Sequence, residues 1–331
     1  MTEQTPTPFP WGILGPGKIA GAFAHGLNEA AGASIAAVGS RDAGRAEAFA
    51  SEYGVTRAYG SYEELAADPE VEAVYVASPH SEHEAHTLLC LEAGKHVLCE
   101  KAFALNAAQS ERMIACAAER GLVLREALWT RFLPAVVRAR ELIEAGTLGE
   151  VRLIQADFGF RAESDPASRL FAPELAGGTL LDLGIYPLQL AFMVCGQPVE
   201  ILTAANLGAT GVDEESAIIL RHASGALSVM ACSFLVNTPR EATIIGTKGR
   251  LTLRHPWWGA TRFTLQVGEG PEEDFEHPHR GGGYTHEAEA FMDLVRTGNP
   301  ASDLMPLDET LALMRTMDAI RERWGLRYPG E

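Results

Sequence analysis

Lys101, Asp182 and Tyr186 are side chains that can exchange a proton with a substrate hydroxyl or hold that hydroxyl in place. Lys101 follows Glu100 at the end of the apolar run HVLCEK, and parallel sheets bind their ligands at the carboxyl ends of strands. A lysine there can hydrogen-bond a reacting oxygen and stabilise alkoxide character, with its pKa lowered by burial or nearby cations. The structural alternative is a surface Glu100–Lys101 ion pair, which is common at strand ends.

Asp182 and Tyr186 lie in the stretch GGTLLDLGIYPLQL, four positions apart. A helix over this stretch would place both side chains on one face. A tyrosine near a cation can donate or accept a proton, and a carboxylate beside it can orient the substrate. On spacing alone, a buried tyrosine at a helix start is the better interpretation.

The stretch GILGPGKIA has the glycine spacing of a dinucleotide-binding loop. It follows an apolar run that predicts a strand and opens a pattern that predicts a helix, which is the context this motif requires. Gly15 would allow the tight turn and Gly17 a close backbone approach. The pyrophosphate would then lie at the helix N-terminus formed by Lys18 and Ile19. The alternative is a glycine turn of an α/β fold that binds nothing.

The end of the second predicted strand carries the signal for the type of dinucleotide. NAD sites usually place an acid there, whereas this chain has Ser40 and Arg41. A guanidinium matches the geometry of a phosphate, so these residues predict NADP rather than NAD, with Arg45 adding a second charge one helical turn later. In the alternative, Ser40 caps a helix, Arg41 is a solvated charge and the neighbouring Asp42 contacts the ribose.

A third group of polar residues, SPHSEHEAH, follows the next core strand. Ser78, His80 and His83 are assigned to the cofactor edge, together with Glu100, and His86 is treated as an ordinary helix residue. Histidines at helical spacing also suggest a metal site. No third carboxylate or thiol ligand can be placed beside them, and hydride transfer to a nicotinamide needs no metal, so we predict none.

The elements that must position these residues fall into two regions. From Trp11 to about Leu124, short apolar runs alternate with helical patterns, which predicts βαβ units and a doubly wound parallel sheet. The predicted strands are WGILG, ASIAAVGS, AVYVAS, HVLCE and LVLRE. The predicted helices are Ile19–Glu29, Gly44–Tyr53, Ser61–Ala67, Glu82–Ala93 and Asn106–Arg120. We therefore assign residues 1–125 to a dinucleotide-binding (Rossmann) domain and expect residues 1–9 to be disordered.

Residues 126–331 are assigned to a second, α+β domain for substrate binding and dimerisation. Its strand-like runs are joined by hairpin signals, which predicts a largely antiparallel open sheet with helices on one face. Helices are expected at Pro134–Ala145, Gly177–Cys195, Thr285–Thr297 and Pro306–Trp324. The pair Trp257-Trp258 is assigned to packing or to an interface.

Composition restricts the class of protein. The 331 residues carry a net charge of −17, which disfavours nucleic acid and anionic membranes as partners. The five cysteines have no metal-ligand spacing and are expected to be reduced. We find no leader sequence and no apolar run of the roughly 18 residues that span a bilayer, so we expect a cytoplasmic protein without a membrane partner.

Over nearly its whole length after Phe9 the chain resembles the Gfo/Idh/MocA family of oxidoreductases. The motifs that carry the resemblance are GILGPGKIA, AVGSRD, AYGSYEELAADPEVEAVYVASPHSEHEAH, CLEAGKHVLCEKA and GGTLLDLGIYPLQL. The resemblance implies a Rossmann domain followed by an open antiparallel sheet, an NADP cofactor and a homodimer formed through the free face of that sheet. Within the family, the nearest subgroup acts on vicinal diols and aldoses.

The resemblance also implies roles for single residues. Lys101 stands at the family's lysine and Asp182 at its motif aspartate. Tyr186 stands where most members have histidine and the diol subgroup has tyrosine, so it is the candidate acid/base. Arg41 matches the contact to the 2′-phosphate. The segment that borders the nicotinamide and the substrate contains Trp129 and Arg131.

Ala102 departs from the family pattern, which has proline after the lysine, often with a cis bond. A cis bond before alanine would cost about 2.5–4 kcal/mol. The expected reaction is that Tyr186, helped by Lys101, takes the proton of a sugar or diol hydroxyl as hydride passes to NADP⁺, while Asp182 holds a neighbouring hydroxyl. The alternatives are a regulatory or scaffold protein that binds NADP without turnover, and a reductase of phosphorylated or nucleotide-linked keto-sugars. Arg161, Arg169 and Arg240 are the candidate phosphate contacts of that reductase.

Overall fold

The computed structural model describes residues 8–299 and 303–331. The strands are β1 (Phe9–Leu14), β2 (Ala33–Gly39), β3 (Arg57–Tyr59), β4 (Ala73–Val76), β5 (His96–Glu100), β6 (Leu124–Ala127), β7 (Val151–Gly159), β8 (Pro198–Leu207), β9 (Asp213–His222), β10 (Leu227–Ser233), β11 (Ala242–Gly246), β12 (Gly249–Leu253), β13 (Arg262–Val267) and β14 (Glu273–Glu276). The α-helices are α1 (Lys18–Glu29), α2 (Ala43–Tyr53), α3 (Tyr62–Ala67), α4 (His83–Glu92), α5 (Ala107–Arg120), α6 (Pro134–Glu144), α7 (Ile185–Cys195), α8 (Tyr284–Thr297) and α9 (Leu307–Trp324).

The chain divides into two compact units whose bounds differ from the predicted division at residue 125. The first unit comprises residues up to Ala104, Ala108–Phe132 and His279–Leu307. The second comprises Leu105–Ala107, Leu133–Pro278 and Asp308–Glu331. The chain therefore leaves the first unit and returns to it, which the sequence analysis did not foresee.

The first unit is built on a six-stranded sheet in the order β3-β2-β1-β4-β5-β6. Its neighbouring strands are parallel, as the alternating strand and helix patterns predicted. The sequence signals at helix ends act as expected: Ser61 accepts a hydrogen bond from the Glu64 amide at 3.1 Å and begins α3. The predicted doubly wound sheet is confirmed.

Trp11 lies at the centre of the first unit's core. Its ring is fully buried, and its centroid lies 5.4 Å from those of Phe9 and Phe23 and 5.1 Å from that of Phe291. Phe9 is therefore an ordered strand residue, and the expectation of disorder is wrong at this position because its ring packs on the core. The rest of that expectation, for residues 1–7, lies outside the described residues.

Helix α8 belongs to the first unit because it packs directly on α1. Phe291 brings it onto Trp11, and the Thr285 hydroxyl donates a hydrogen bond to the Gly26 carbonyl at 2.8 Å. The absence of a side chain at Gly26 permits this approach, since a Cβ there would lie 2.7 Å from the Tyr284 Cβ. These contacts explain why a boundary placed from local patterns at residue 125 misses the return of the chain.

The second unit is built on an eight-stranded sheet in the order β14-β13-β12-β11-β7-β10-β9-β8. The β7–β10 pair is parallel and the other neighbouring pairs are antiparallel. Helix α7 packs against β7 and β10 on one face. The predicted largely antiparallel sheet is confirmed, and together the two sheets confirm the predicted fold class.

The segment Pro173–Cys195 is long and apolar enough to cross a membrane by length and composition, so the expectation that no such run exists is wrong. However, 83% of its apolar window is buried inside the structure. It contains a π-helical turn at Leu180–Gly184 that continues into α7, so the predicted helix begins at Leu180 rather than Gly177. This burial is typical of a core helix.

Buried hydrogen bonds fix the start of the π-helical turn. The Asp213 carboxylate accepts hydrogen bonds from the Thr179 hydroxyl and the Leu180 amide, both at 2.7 Å. The Tyr328 hydroxyl donates to the Gly177 carbonyl at 2.7 Å. Burial raises the pKa of Asp213 to about 6 despite these donors.

Replacing Gly26 with valine is expected to destabilise the first unit, because the new side chain would meet Tyr284 and the Thr285 amide. Overpacking of this kind costs about 1–3 kcal/mol. Urea unfolding followed by tryptophan fluorescence measures the loss. His25→Val, at a side chain that is 65% exposed on the same helix, controls for the helix propensity of valine. Equal unfolding midpoints for the two variants would contradict the close packing of α1 and α8.

Replacing Asp213 with asparagine is expected to change how stability depends on pH. The folded pKa of about 6 lies above the unfolded value of about 3.9, so the wild type loses stability as pH rises through this interval and no further above it. Asparagine can still accept the Leu180 hydrogen bond but cannot ionise. The thermal midpoint of Asp213→Asn minus that of the wild type should therefore increase between about pH 4 and about pH 7. Asp274→Asn, in exposed strand β14, is the control, and an equal trend in both variants would refute the shift at Asp213.

Candidate active site

The loop between β1 and α1 has the geometry of a pyrophosphate site. Gly15 has a φ of +87°, and a Cβ there would lie 3.2 Å from the Ala77 carbonyl oxygen. A Cβ at Gly17 would meet nothing within 4 Å, so its surroundings are open. Helix α1 begins at Lys18 without a side-chain cap on its first amides, those of Lys18 and Ile19 among them. These features fit the phosphates of a dinucleotide.

The residues after β2 shape the loop that follows this strand. Ser40 is buried, and its hydroxyl accepts a hydrogen bond from the Asp42 amide at 3.2 Å. The Asp42 side chain caps α2, and the Arg45 guanidinium donates to the Pro16 carbonyl at 3.3 Å. Arg45 is exposed and bonds to the glycine loop through one nitrogen, so its guanidinium has further N–H groups for the second phosphate contact that the sequence predicts. Arg41 is exposed and has no hydrogen bond or ion pair among the described residues.

His83 was assigned to the cofactor edge, and in the structure both of its ring nitrogens lie beside backbone carbonyls. Its side chain is fully buried, with Nδ1 2.8 Å from the Ala102 carbonyl oxygen and Nε2 2.8 Å from the Ser78 carbonyl oxygen. Burial lowers its pKa to about 4 despite these carbonyls. His80 is also buried and lies 3.1 Å from the Lys101 carbonyl oxygen through Nε2. Both histidines support the turn that presents Lys101.

Glu100 supports the same turn from the other side. The buried Tyr75 hydroxyl donates to its carboxylate, and Glu100 Oε2 accepts from the Lys101 amide at 3.1 Å. The carboxylate is therefore engaged inside the unit, where burial and its charge raise the pKa of Tyr75. Lys101 itself is half-buried, and its peptide bond to Ala102 is cis.

The segment predicted to border the nicotinamide forms a short 3₁₀ turn at Trp129–Phe132. The Trp129 ring stacks on Tyr284 of α8 at a centroid distance of 4.9 Å. Arg131 is buried and donates a hydrogen bond to the Leu304 carbonyl at 3.3 Å. Trp129 and Tyr284 thus form an aromatic pair, while Arg131 ties the segment to the returning part of the chain.

In the second unit, Asp182 and Tyr186 lie on the π-helical turn and the first turn of α7. Asp182 is buried and forms a two-point ion pair with Arg169, with oxygen–nitrogen distances of 3.0 and 3.2 Å. Arg169, a candidate phosphate contact of the keto-sugar alternative, thus pairs with Asp182 while its side chain stays 49% exposed. The pair fixes the orientation of the carboxylate.

Two aromatic residues that the sequence analysis missed surround Tyr186. The Tyr186 ring lies 5.6 Å from that of Phe158 and 6.3 Å from that of Trp258, and these two stack on each other at 3.4 Å. The neighbouring Trp257 is fully buried and donates its indole N–H to the Asp157 carbonyl at 2.9 Å. Trp257 therefore serves packing as predicted, whereas Trp258 flanks the candidate acid/base. The signal for Phe158 was the alternation of apolar and polar residues along β7, which places its side chain on the buried face of the sheet.

Within residues 8–299 and 303–331, no group of three or more His, Cys, Asp or Glu side chains could hold a metal ion. His80, His83 and His86 each use a ring nitrogen in a bond to the Lys101, Ala102 or Ser78 segment. Their helical spacing therefore reflects support of the loops after β4 and β5.

Comparison with known proteins agrees with this arrangement. Residues 9–128 match the oxidoreductase family with an NAD-binding Rossmann fold, and residues 136–252 match the GFO/IDH/MocA C-terminal domain. The trans-1,2-dihydrobenzene-1,2-diol dehydrogenase of Mus musculus is 37% identical over 331 residues, covering 96% of this chain and 98% of its own. The enzyme of the same name from Homo sapiens is 36% identical with the same coverage.

Two solved structures are similar over the same extent. KijD10, a 3-ketoreductase from Actinomadura kijaniata in complex with NADP and TDP-benzene, is 25% identical with a TM-score of 0.85. An aldose-aldose oxidoreductase from Caulobacter crescentus, complexed with glycerol, is 26% identical with a TM-score of 0.87. Each comparison covers 96% of this chain and 98% of the other. With both family domains matched in order, the chain belongs to the Gfo/Idh/MocA family of oxidoreductases.

Proposed function

We propose that the protein is an NADP-dependent dehydrogenase or reductase that interconverts a hydroxyl and a carbonyl on a ring-shaped diol or sugar. The observation that carries this proposal is the setting of Tyr186, which combines a phenol with an oriented carboxylate and a stacked pair of aromatic rings. The names of its relatives, which act on diols and sugars, support the same class of substrate.

The cofactor follows from the first unit. When bound, NADP supplies the carbon that accepts or donates the hydride. Gly15 and Gly17 leave room for the pyrophosphate, and the exposed Arg41 provides a guanidinium for the 2′-phosphate. A related structure was solved with NADP. Because no carboxylate caps β2 at the position that selects NAD, NADP is the better match.

The substrate class follows from the second unit. The partly buried Trp258 ring, stacked on the buried Phe158, suits the apolar face of a ring, either an unsaturated carbocycle or the C–H face of a sugar. Asp182 is held by Arg169 and can accept a hydrogen bond from a hydroxyl adjacent to the reacting one. A diol or polyol ring satisfies both features at once.

The proton chemistry falls to Tyr186 and Lys101. In the oxidation direction the Tyr186 oxygen takes the hydroxyl proton while the C–H bond breaks and its electron pair leaves as hydride. The family resemblance assigns to the Lys101 ammonium the stabilisation of the negative charge that develops on oxygen, and the Lys101 backbone is held by Glu100 and His80. In reduction the same proton returns to the carbonyl oxygen.

The substitution Tyr186→Phe is expected to lower kcat by about 10²–10⁴ and to leave NADPH affinity nearly unchanged, because it removes the proton acceptor and little else. Steady-state rates with ring diols, aldoses and nucleotide-linked keto-sugars measure the first effect, and fluorescence titration measures the second. Tyr59→Phe removes a hydroxyl bonded to Asp68 and is the matched control. A fully active Tyr186→Phe enzyme would reject the assignment. Tight NADPH binding by wild type without turnover of any of these substrates would favour the scaffold alternative.

We further propose a homodimer formed through the open face of the second sheet. Leu202, Ile219 and Val229 face each other in register across β8, β9 and β10, and their exposures are 54%, 38% and 37%. The Arg221–Glu200 ion pair at 2.7 Å borders this row. An apolar row bordered by charges is typical of a subunit interface.

The substitution Ile219→Glu should convert the dimer to a monomer, because it places a charge at the centre of this row without a partner. Light scattering coupled to size-exclusion chromatography measures the mass. Ala58→Glu, on exposed strand β3 of the first unit, adds the same charge elsewhere and should stay dimeric. A monomeric wild-type protein, or a dimeric Ile219→Glu variant, would refute this interface.

A further inference from the structure

His86 lies on α4, on the side of that helix that faces the loop after β4. Its Nδ1 is 2.9 Å from the Ser78 hydroxyl, and its ring meets the face of Tyr62 edge-on at a centroid distance of 4.6 Å. The ring is half-buried. Two contacts therefore fix its orientation, which is more than the sequence pattern of a helix residue suggested.

The same contacts place His86 at the dinucleotide end of the sheet. The Ser78 amide nitrogen lies 3.3 Å from the point that a Gly15 Cβ would occupy, so Ser78 borders the glycine loop directly. In the strand order, β1 lies between β2 and β4, so the segments after β2 and β4 flank that loop. Arg41 follows β2 and is close enough for its charge to lower the pKa of His86. Arg41 and His86 thus approach the adenosine region from opposite sides.

The second ring nitrogen of His86 is available for a ligand. With Nδ1 bonded to Ser78, Nε2 has no hydrogen-bond partner among the described residues, although the ring is held in place. Arg41 is likewise exposed and has no partner in the described parts of the chain. Arg41 supplies an exposed guanidinium and His86 an oriented ring nitrogen at the same edge of the sheet, and the two groups together fit a single phosphate group.

We propose that His86 is a second recognition residue for the 2′-phosphate of NADP, donating from Nε2 beside Arg41 and adding a positive charge when its imidazole is protonated. This inference rests on the proposed use of NADP. It predicts that the preference for NADPH over NADH increases as pH falls through the range in which histidine titrates.

The direction of this pH effect follows from the groups around the His86 ring. Burial lowers the pKa of His86 most, Arg41 lowers it further, and Glu82 and Glu63 raise it. The other groups that face it are Tyr62, Ser78 and the buried neutral His83. A bound phosphate adds negative charge beside the ring and opposes the effect of Arg41, so it raises the pKa of His86 in the complex. Binding of NADPH therefore takes up a proton at this residue, and a lower pH favours binding.

The test is a fluorescence titration of the whole protein with NADPH and with NADH at about pH 6 and about pH 8, on wild type, His86→Asn and His86→Gln. The ratio of NADH Kd to NADPH Kd should be about three- to tenfold larger at the lower pH in wild type, and should not rise in either variant. Calorimetry in two buffers of different ionisation enthalpy should show proton uptake with NADPH that both variants lose. His25→Asn, an exposed histidine on α1, should behave as wild type.

The outcomes separate this inference from the proposed function. Unchanged NADH affinity in the His86 variants shows that they are folded. If wild type and both variants then show the same pH profile for the NADPH preference, the role of His86 is refuted while NADP use stands. If Arg41→Ala and wild type show no preference for NADPH at either pH, the NADP assignment itself fails, and the inference fails with it.

Discussion

The turn at Glu100–Ala102 depends on buried side chains that bond to its backbone. His80 bonds to the Lys101 carbonyl, His83 to the Ala102 carbonyl, and Glu100 accepts from the Lys101 amide. Buried polar groups must find partners because an unpaired one costs about 1–3 kcal/mol. Here that requirement fixes the backbone of a half-buried lysine from three directions.

In the second unit, other side chains fix the backbone and the orientation of a candidate catalytic group. Asp213 and Tyr328 fix the backbone at Gly177–Leu180, and Arg169 fixes the carboxylate of Asp182. In both units the candidate catalytic groups are separate from the groups that position them. A substitution at a supporting residue should therefore change geometry before it changes charge at the reacting atoms.

Local patterns predicted the elements well and the supporting contacts poorly. The helix over Pro134–Glu144 and the glycine loop follow from periodicity and from backbone requirements that a single stretch of chain expresses. The short polar strands β3 and β14 were missed because three or four edge residues carry no alternation. The return of α8 to the first unit was missed because the Gly26–Thr285 contact joins distant parts of the chain.

In the candidate site too, features of a single stretch of chain could be predicted, whereas contacts between distant stretches could not. Gly15, Arg41 and Lys101 could be found from residue type and position after a strand, since the ends of parallel strands meet at one edge. The burial of His83 could not be predicted because histidine suits both ligand binding and a buried structural bond. Trp258 could not be connected with Tyr186, nor Arg169 with Asp182, since each lies in a loop whose path depends on the whole sheet.

Charge distribution explains how an acidic protein can select an anionic cofactor. The net charge of −17 opposes every phosphate group at long range. Salt screens that repulsion beyond about 8–10 Å, whereas a direct guanidinium–phosphate contact acts within hydrogen-bonding distance. Arg41 is exposed and has no hydrogen bond or ion pair among the described residues, and the neighbouring acid, Asp42, is occupied as a helix cap. The local arrangement after β2 thus overrides the charge of the whole chain, and discrimination between NADP and NAD depends on a few side chains at that edge.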